Sequence, residues 1–295
     1  MLNEILFPRR VRGTGLRILN RLAKYTFARR FLLSFITRIG GFRHRKLYRQ
    51  VKKYCMFVGY PRSGHSLVGS LIDAHPKAII AHELDALGFV EWGYSKERLF
   101  YMMQRNSHEF SKTGRSWTGY AYDVKGQWQG TYDHELIVIG DKKGGMSTQR
   151  LQDSPNLLDA LEQEVDMPVY IIHVVRNPFD NISTISKRQN LDLPTAIDFY
   201  FSLCETVEKL KKEIDSTLFL EFKLEDLIND SKTIMKSVCN FLGIEAPDDY
   251  LQACADILFD RPKTTRDTSE WNDDLIKKTL ERVKEFQFLK GYEYN

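Results

Sequence analysis

The sequence predicts an α/β fold in three layers: a central, mainly parallel sheet of four to five strands, flanked by helices. Three observations carry that prediction. Short apolar runs recur at 54–58, 136–139, 169–175 and 218–222, each of strand length and each ending in polar or glycine-bearing residues. Helical periodicity fills the intervals, most plainly over 194–214, where Ala196, Tyr200, Leu203, Val207, Leu210 and Ile214 repeat at three and four. The first run leads through a two-glycine loop into an apolar helix face, Leu67, Val68, Leu71 and Ile72. Strands that alternate with helices bury a parallel sheet between helical layers.

Taken in order, residues 1–50 form a basic arm and residues 51–295 a single α/β domain. Residues 1–53 hold fifteen Lys/Arg and one acid, Glu4, which leaves 28 basic against 38 acidic residues in the remainder. The net charge of +4 therefore conceals an acidic fold behind a cationic arm. The arm mixes arginines with Leu16, Leu19, Leu22, Phe27, Phe31, Phe35 and Ile36, a pattern that predicts one or two amphipathic helices. Three readings of it stand side by side. It packs on the domain with its charges solvated, it adsorbs to an anionic membrane or acidic polymer, or it addresses the chain to an organelle. Nothing downstream supplies a base-reading module, so nucleic acid is not expected as a partner.

No stretch reaches the roughly 18 apolar residues of a membrane span, and no secretory signal stands out. A cytoplasmic protein is expected, with membrane association through the arm as the one qualification. Cys55, Cys204, Cys239 and Cys254 show neither a C-x-x-C pair nor zinc spacing, so they are expected as small buried hydrophobes and no metal site is expected.

After the glycine loop, the helix must stop at His75 because of Pro76. Residues 78–81 predict a second strand, followed by His82-Glu83-Leu84-Asp85. Residues 95–110 suggest a helix, and Tyr120–Gly130 reads as a β-hairpin. The strand at 136–139 is expected to end in a cationic flexible loop, Gly140-Asp141-Lys142-Lys143-Gly144-Gly145, before a helix over about 147–163. The strand at 169–175 ends in Arg176-Asn177-Pro178, with a helix starting near Pro178. Helices over 231–242 and around 276–286 complete the chain, the latter turning Ile276, Leu280, Val283 and Phe286 inward.

The chemistry gathers at the strand ends. Gly59-x4-Gly64 has the spacing of a phosphate-binding P-loop. A nucleotide-triphosphate P-loop would place Lys where His65 stands; a cation appears earlier, at Arg62. The loops 60–66, 82–85, 140–145 and 176–184 all fall where an open parallel sheet collects its ligand. Together they bring Arg62, Lys142 or Lys143, Arg176 and several hydroxyls to one crevice suited to an anion with more than one phosphate-like group. Glu83 is the carboxylate there and a candidate general base; His82 is the rival, and His173 is expected as a core histidine.

Gly59-Tyr-Pro-Arg-Ser-Gly-His-Ser66 resembles the 5′-phosphosulfate loop of the sulfotransferases that use 3′-phosphoadenosine 5′-phosphosulfate (PAPS), whose usual form is close to Gly-x-Pro-(Arg/Lys)-Ser-Gly-Thr-(Ser/Thr). Arg176 with Thr184 resembles that family's 3′-phosphate site, and the stretches 220–227 and 238–244 resemble its later strand and helix. The resemblance runs in order over about residues 54–290. It implies sulfuryl transfer from PAPS to a hydroxyl on a carbohydrate, lipid or small molecule, without a metal. It implies that Arg62 contacts the phosphosulfate, that Ser63, Gly64, His65 and Ser66 form the backbone nest, and that Arg176 and Thr184, with Ser183 as the other hydroxyl, hold the 3′-phosphate. Glu83, 21 residues after Arg62, matches the base of the tyrosylprotein sulfotransferase branch, and Lys142 stands for a lysine of the Golgi-type enzymes. Two departures are plain: His65 replaces the threonine, and Lys263 and Arg266 are what stands for the Arg-Lys-Gly closing motif. Two other functions compete: a P-loop small-molecule kinase, and a non-catalytic nucleotide-binding or membrane-docking protein.

Overall fold

In the computed structural model, residues 15–258 and 264–294 are described, with side chains from residue 32 onward. Helix α1 (Gly15–Tyr48) precedes β1 (Lys53–Val58), α2 (His65–Asp73), β2 (Ala78–His82), α3 (Ala86–Glu91) and α4 (Lys96–Lys112). A small hairpin, β3 (Ser116–Trp117) and β4 (Tyr120–Ala121), leads to β5 (Val138–Lys142), α5 (Gly145–Asp153) and α6 (Leu157–Val165). Then come β6 (Val169–Val175), α7 (Pro178–Gln189), α8 (Leu193–Glu213), β7 (Phe219–Lys223), α9 (Leu224–Asn229), α10 (Ser231–Leu242), α11 (Asp248–Asp256) and α12 (Asp273–Val283).

The five long strands form one sheet in the order β2-β5-β1-β6-β7, with every pairing parallel. This is the predicted architecture. Period-two alternation divides β1 between the two faces: Tyr54, Met56 and Val58 join the core under α4 and α6, while Cys55 and Phe57 join the core under α2 and α10. Burying one such Phe is worth about 1.5–3 kcal/mol, and β1 is closed to solvent from Tyr54 to Val58. All four cysteines are buried and free. A third cluster, Tyr60, Val175, Ile182, Tyr200, Phe201 and Phe286 among them, lies between α7, α8 and the C-terminal segment.

Strand β1 sits at the centre, with β5 on one side and β6 on the other. The chain passes from β1 to the β2 side and, after β5, crosses to β6 on the other side, so the carboxyl end of β1 lies at the switch point where an open sheet forms its crevice.

Several local expectations need correction. The hairpin lies at 116–121 rather than over 120–130, because Gly119, with φ of 89°, makes the turn and Gln129 instead folds back to bond the 122–124 backbone. Residues 140–142 are strand, not loop: Ala81 and His82 pair with Asp141 and Lys142. Gly140 permits this, since a Cβ there would strike the Cys55 carbonyl of the adjacent strand. The single helix expected over 147–163 is two, α5 and α6, parted at Ser154-Pro155 where proline cannot continue the ladder.

Helix α1 is one continuous helix of 34 residues. Its last four turns lie on α4: Arg98 donates to Ser34 Oγ (3.1 Å) and Thr37 Oγ1 (3.3 Å), and Tyr48 OH donates to Gln104 Oε1 (2.8 Å). Gly41 lets the helices close, because a Cβ there would sit 2.8 Å from the Glu97 carbonyl carbon.

Candidate functional site

The loop between β1 and α2 is built to expose backbone N–H groups. Gly64 caps α2 at φ 99°, a conformation that costs a side-chain residue energy and glycine almost none. The first N–H groups of α2 have no partner within the helix and point into the loop, at the positive end of the helix dipole. Side chains fix the loop from below. Ser63 Oγ donates to the Tyr60 carbonyl (2.6 Å), Asn181 Nδ2 donates to the Pro61 carbonyl (3.1 Å), and the Gly59 N–H donates to Thr148 Oγ1 (2.7 Å). Arg62 is held at φ 74°, the left-handed region that non-glycine residues seldom adopt, and its guanidinium reaches Thr118 Oγ1 of the hairpin at 3.4 Å.

His65 is a wedge rather than a ligand-facing cation. Its ring is buried against Phe57 and fills the space beside Gly59 and Gly144; a Cβ at Gly59 would lie 3.2 Å from its Nε2. Burial, with His173 and Lys142 nearby, lowers its pKa to about 3. The imidazole is therefore neutral at pH 7 and supplies no charge to an anion.

Glu83 follows β2 directly, also in the left-handed region (φ 58°). Its N–H donates to the Lys142 carbonyl (3.1 Å), which continues the β2–β5 ladder by one step and aims the carboxylate at β5. Lys142 Nζ lies 2.6 Å from Glu83 Oε1 and Lys143 Nζ 3.2 Å from Oε2. Lys142 Nζ also donates to Ser66 Oγ at 2.8 Å, so one ammonium joins the carboxylate to the first turn of α2. Its stem crosses α2 at Gly69, where a Cβ would come within 2.8 Å of Lys142 Cγ. Burial alone would raise the pKa of Glu83, but the two ammonium groups outweigh it and hold the carboxyl below its ordinary value. Burial lowers the pKa of Lys142 against the pull of Glu83.

His82 points to the other face of the edge strand. It stacks on Phe110 (4.0 Å between centroids) and meets Trp117 edge-on (5.1 Å). Burial, then Lys142 and Arg115, drive its pKa far below the usual value, so it too is neutral. His173 lies in the core, as expected, with Nδ1 3.0 Å from Glu221.

Arg176 leaves the carboxyl end of β6 and donates to the Arg62 carbonyl at 3.1 Å, so this second cation abuts the loop. Asn177 caps α7, accepting from the Phe179 N–H (3.0 Å). The two α7 hydroxyls differ. Thr184 Oγ1 donates to its own helix at the Asp180 carbonyl (2.7 Å) and stays partly exposed; Ser183 is buried and accepts from Trp271 Nε1 (2.8 Å). Arg266 returns to the same helix: its N–H and guanidinium both meet the buried Asp180 carboxylate, at 3.0 and 3.1 Å. Lys263 lies outside the described residues. The structure thus brings Arg62, Ser63, Gly64, Ser66, Glu83, Lys142 and Arg176 to one sheet edge, with Ser183, Thr184 and Arg266 on the flanking α7 side.

Sequence reasoning missed the partners that hold this arrangement. Of these, Thr148 is a helical residue with no local signal for tying down a loop. A fuller reading could have found Asp180 and Asn181, since they share the N-terminal turn that follows Arg176. Trp117 of the hairpin meets His82, and Tyr122, just after the hairpin, lies beside Arg62 and Ser66 at the crevice. Beneath the hairpin, Arg115 and Asp73 form a buried ion pair (2.7 Å), and Asp73 also accepts from Ser107 Oγ and the N–H groups of Ile80 and Gly130. Among the described residues no group of three or more His, Cys, Asp or Glu could hold a metal ion.

Comparison with known proteins bears on what such a crevice holds. The family model described as "Sulfotransferase family" matches residues 56–248, which span β1 to the start of α11. Among solved structures, the sulfotransferase domain of the Synechococcus PCC 7002 olefin synthase is 16% identical, with a TM-score of 0.50, over 80% of this chain and 94% of that domain. The sulfotransferase domain from the curacin biosynthetic pathway is 13% identical, with a TM-score of 0.51, over 80% of this chain and 97% of that one. At such identities the structures speak for the fold alone. No curated protein sequence matches the chain.

Proposed function

The chain belongs to the sulfotransferase family, and from that premise we propose that it transfers a sulfuryl group from PAPS to a hydroxyl acceptor, with Glu83 as general base. One observation carries the reading. The Lys142 ammonium is shared by the Glu83 carboxylate (2.6 Å) and the Ser66 hydroxyl of the phosphate loop (2.8 Å), so base and donor loop meet at a single cation.

The residues present fit a 3′,5′-substituted nucleotide. Its 5′ group suits the exposed N–H groups of residues 62–66, and its 3′-phosphate suits Arg176 with Thr184. Ser183, already accepting from Trp271, is the weaker hydroxyl candidate. Arg266, paired with Asp180 beside that helix, fits a closing role over the nucleotide.

PAPS supplies the sulfuryl group, which passes to the acceptor oxygen as the bond from sulfur to the bridging phosphate oxygen breaks. The chain's residues supply position and charge. Glu83, kept ionised by two lysines, accepts the acceptor's proton. Arg62 and Lys142 face the charge that builds on the sulfuryl oxygens and the leaving phosphate. Lys142 is suited to both ends of this process: it leaves the carboxylate as Glu83 is protonated and follows the charge to the departing group. Residues 51–295 would carry this activity, with residues 1–50 as an appended arm.

The test is a thermal-shift series followed by turnover. Stabilisation by the 3′,5′-bisphosphate product without magnesium is expected, because a ligand specific to the native state raises the melting temperature. A larger shift with ATP and Mg²⁺ would overturn the reading in favour of a kinase. Labelled PAPS offered with carbohydrate, lipid-headgroup, phenol and alkyl-alcohol acceptors then identifies the hydroxyl class.

A further inference from the structure

Helix α1 has two apolar faces, and among the described residues only one of them is covered. Thr37, Gly40, Gly41 and Tyr48 are buried against α4. On the opposite side Leu32, Phe35, Ile39 and Phe42 stand in solvent, with relative exposures of 38, 55, 44 and 64%. Their spacing of three, four and three places them in one stripe along the helix. Among the described residues they make up half of the eight exposed large apolar side chains, so the patch is concentrated rather than scattered.

Charge borders the stripe. Arg38 and Arg45 lie along one edge and Arg43 along the other, all exposed, with Lys46 and Arg49 in the turns that follow. The Arg45 guanidinium lies 4.3 Å from the centre of the Phe42 ring. In sequence the helix carries no acid at all, and Glu4 is the sole acid before residue 54. No helix among the described residues is long and apolar enough to cross a membrane.

From this arrangement we propose that α1 is a peripheral docking surface for an anionic lipid bilayer. The helix lies flat in the interface, with Leu32, Phe35, Ile39 and Phe42 among the acyl chains and the flanking arginines on lipid phosphates. An apolar stripe with cations on both margins is the pattern of an interfacial helix. A soluble acidic polymer would use the arginines but gain nothing from four exposed apolar side chains. A second copy of this chain would place arginine rows against arginine rows. Because the opposite face is bonded to α4, the docked helix would carry the whole α/β layer on its far side.

The experiment is co-sedimentation of the full chain with vesicles of phosphatidylcholine alone, and of phosphatidylcholine with one-third phosphatidylserine, at 0.1 M salt. Binding to the anionic vesicles at least tenfold above the neutral ones is expected, since each basic residue near such a surface adds to attraction. The double variant Phe35→Ser/Phe42→Ser should lower the partition coefficient by at least about tenfold. Its melting temperature should not change, because both side chains are already in solvent. The triple variant Arg38→Ser/Arg43→Ser/Arg45→Ser should lower the preference for anionic vesicles by at least about tenfold, the other basic residues of the arm keeping the remainder. Three outcomes would overturn the proposal: no sedimentation with anionic vesicles; unchanged binding by the double Phe variant, which would mean charge alone and a polyanion as the partner; or a dimer in solution that the double Phe variant dissociates.

Discussion

Replacing Glu83 by Gln separates base catalysis from donor binding. The amide keeps the size of the carboxylate and the left-handed backbone position, so the loop 83–85 should hold its course. What it removes is the proposed proton acceptor and the negative charge between Lys142 (2.6 Å) and Lys143 (3.2 Å). Loss of a positioned general base costs about 10²–10⁴ in kcat, or roughly 3–5 kcal/mol of barrier. Stability should also fall. Removing one partner of a fully buried pair costs about 3–5 kcal/mol, but the Glu83 side chain is 30% exposed and water can compensate Lys142 in part, so about 1–3 kcal/mol is expected here. For a domain of this size each kcal/mol moves the melting temperature by about 2–4 °C. Affinity for the 3′,5′-bisphosphate should hold or improve, because Lys142 no longer divides its charge with a carboxylate. Single-turnover transfer from labelled PAPS, with calorimetry for the product nucleotide, reads both quantities. A variant that keeps more than a third of wild-type turnover would refute Glu83 as the base. One that loses turnover and nucleotide binding together would show that the carboxylate organises the donor pocket instead.

Other perturbations probe other parts of the site. Arg176→Ala should weaken 3′,5′-bisphosphate binding by at least about tenfold while leaving the affinity for a nucleotide lacking the 3′-phosphate within about threefold, as calorimetry would show. His65 has its folded-state pKa lowered to about 3 from an ordinary 6.5, so between those values the unfolded chain binds a proton that the folded chain refuses. Its contribution is therefore present above pH 6.5 and lost as pH falls. At pH 5 the loss is about 2 kcal/mol, and urea midpoints equal at pH 7 and pH 5 would refute this. Arg115→Met should destabilise the fold by about 3–5 kcal/mol, because it strands Asp73 at zero exposure; a urea titration that matches wild type would count against it.

The sheet and the site edge were legible because they rest on short-range signals. Apolar runs of strand length, glycine at 59 and 64, and proline at 76 and 178 each constrain the backbone locally. What was not legible depended on contacts between segments distant in sequence. Gly140-Asp141-Lys142 has the composition of a loop, and only the adjacent β1 and β2 make it a strand. Asp141 shows how: its carboxylate accepts from the Leu84 and Ala86 N–H groups (3.1 and 2.8 Å), and burial pushes its pKa up to about 6 despite them. That bond draws the chain after Glu83 toward β5. Lys142 is a strand residue whose partner across the ladder is His82, so its stem is held inside the fold.

The same constraint explains what His65 does. A cation at position 65 would lie beside Gly59 and Gly144, against the Phe57 ring and close to Lys142, which already holds the Glu83 carboxylate. Burial would disfavour its charge, as it does for the imidazole. A neutral wedge is what this position accepts, and it separates the β1 end from the 143–145 turn. The charge facing the crevice can then come from Lys142, whose counter-ion Glu83 is in place, and from Arg62, which reaches solvent. In a triphosphate loop the lysine after the second glycine supplies that charge from α2 itself. In the proposed mechanism it is supplied from β5, across the top of α2 at Gly69, by Lys142, which also contacts the Glu83 carboxylate. A lysine on α2 would stabilise an anion as well, but it would leave the base without a cation to exchange as the proton moves. His65→Lys should accordingly lower stability, through an unpaired buried ammonium, and should fail to restore turnover to a Lys142→Met variant. Restored turnover in that double variant would show that the origin of the charge is immaterial and that its coupling to Glu83 plays no part.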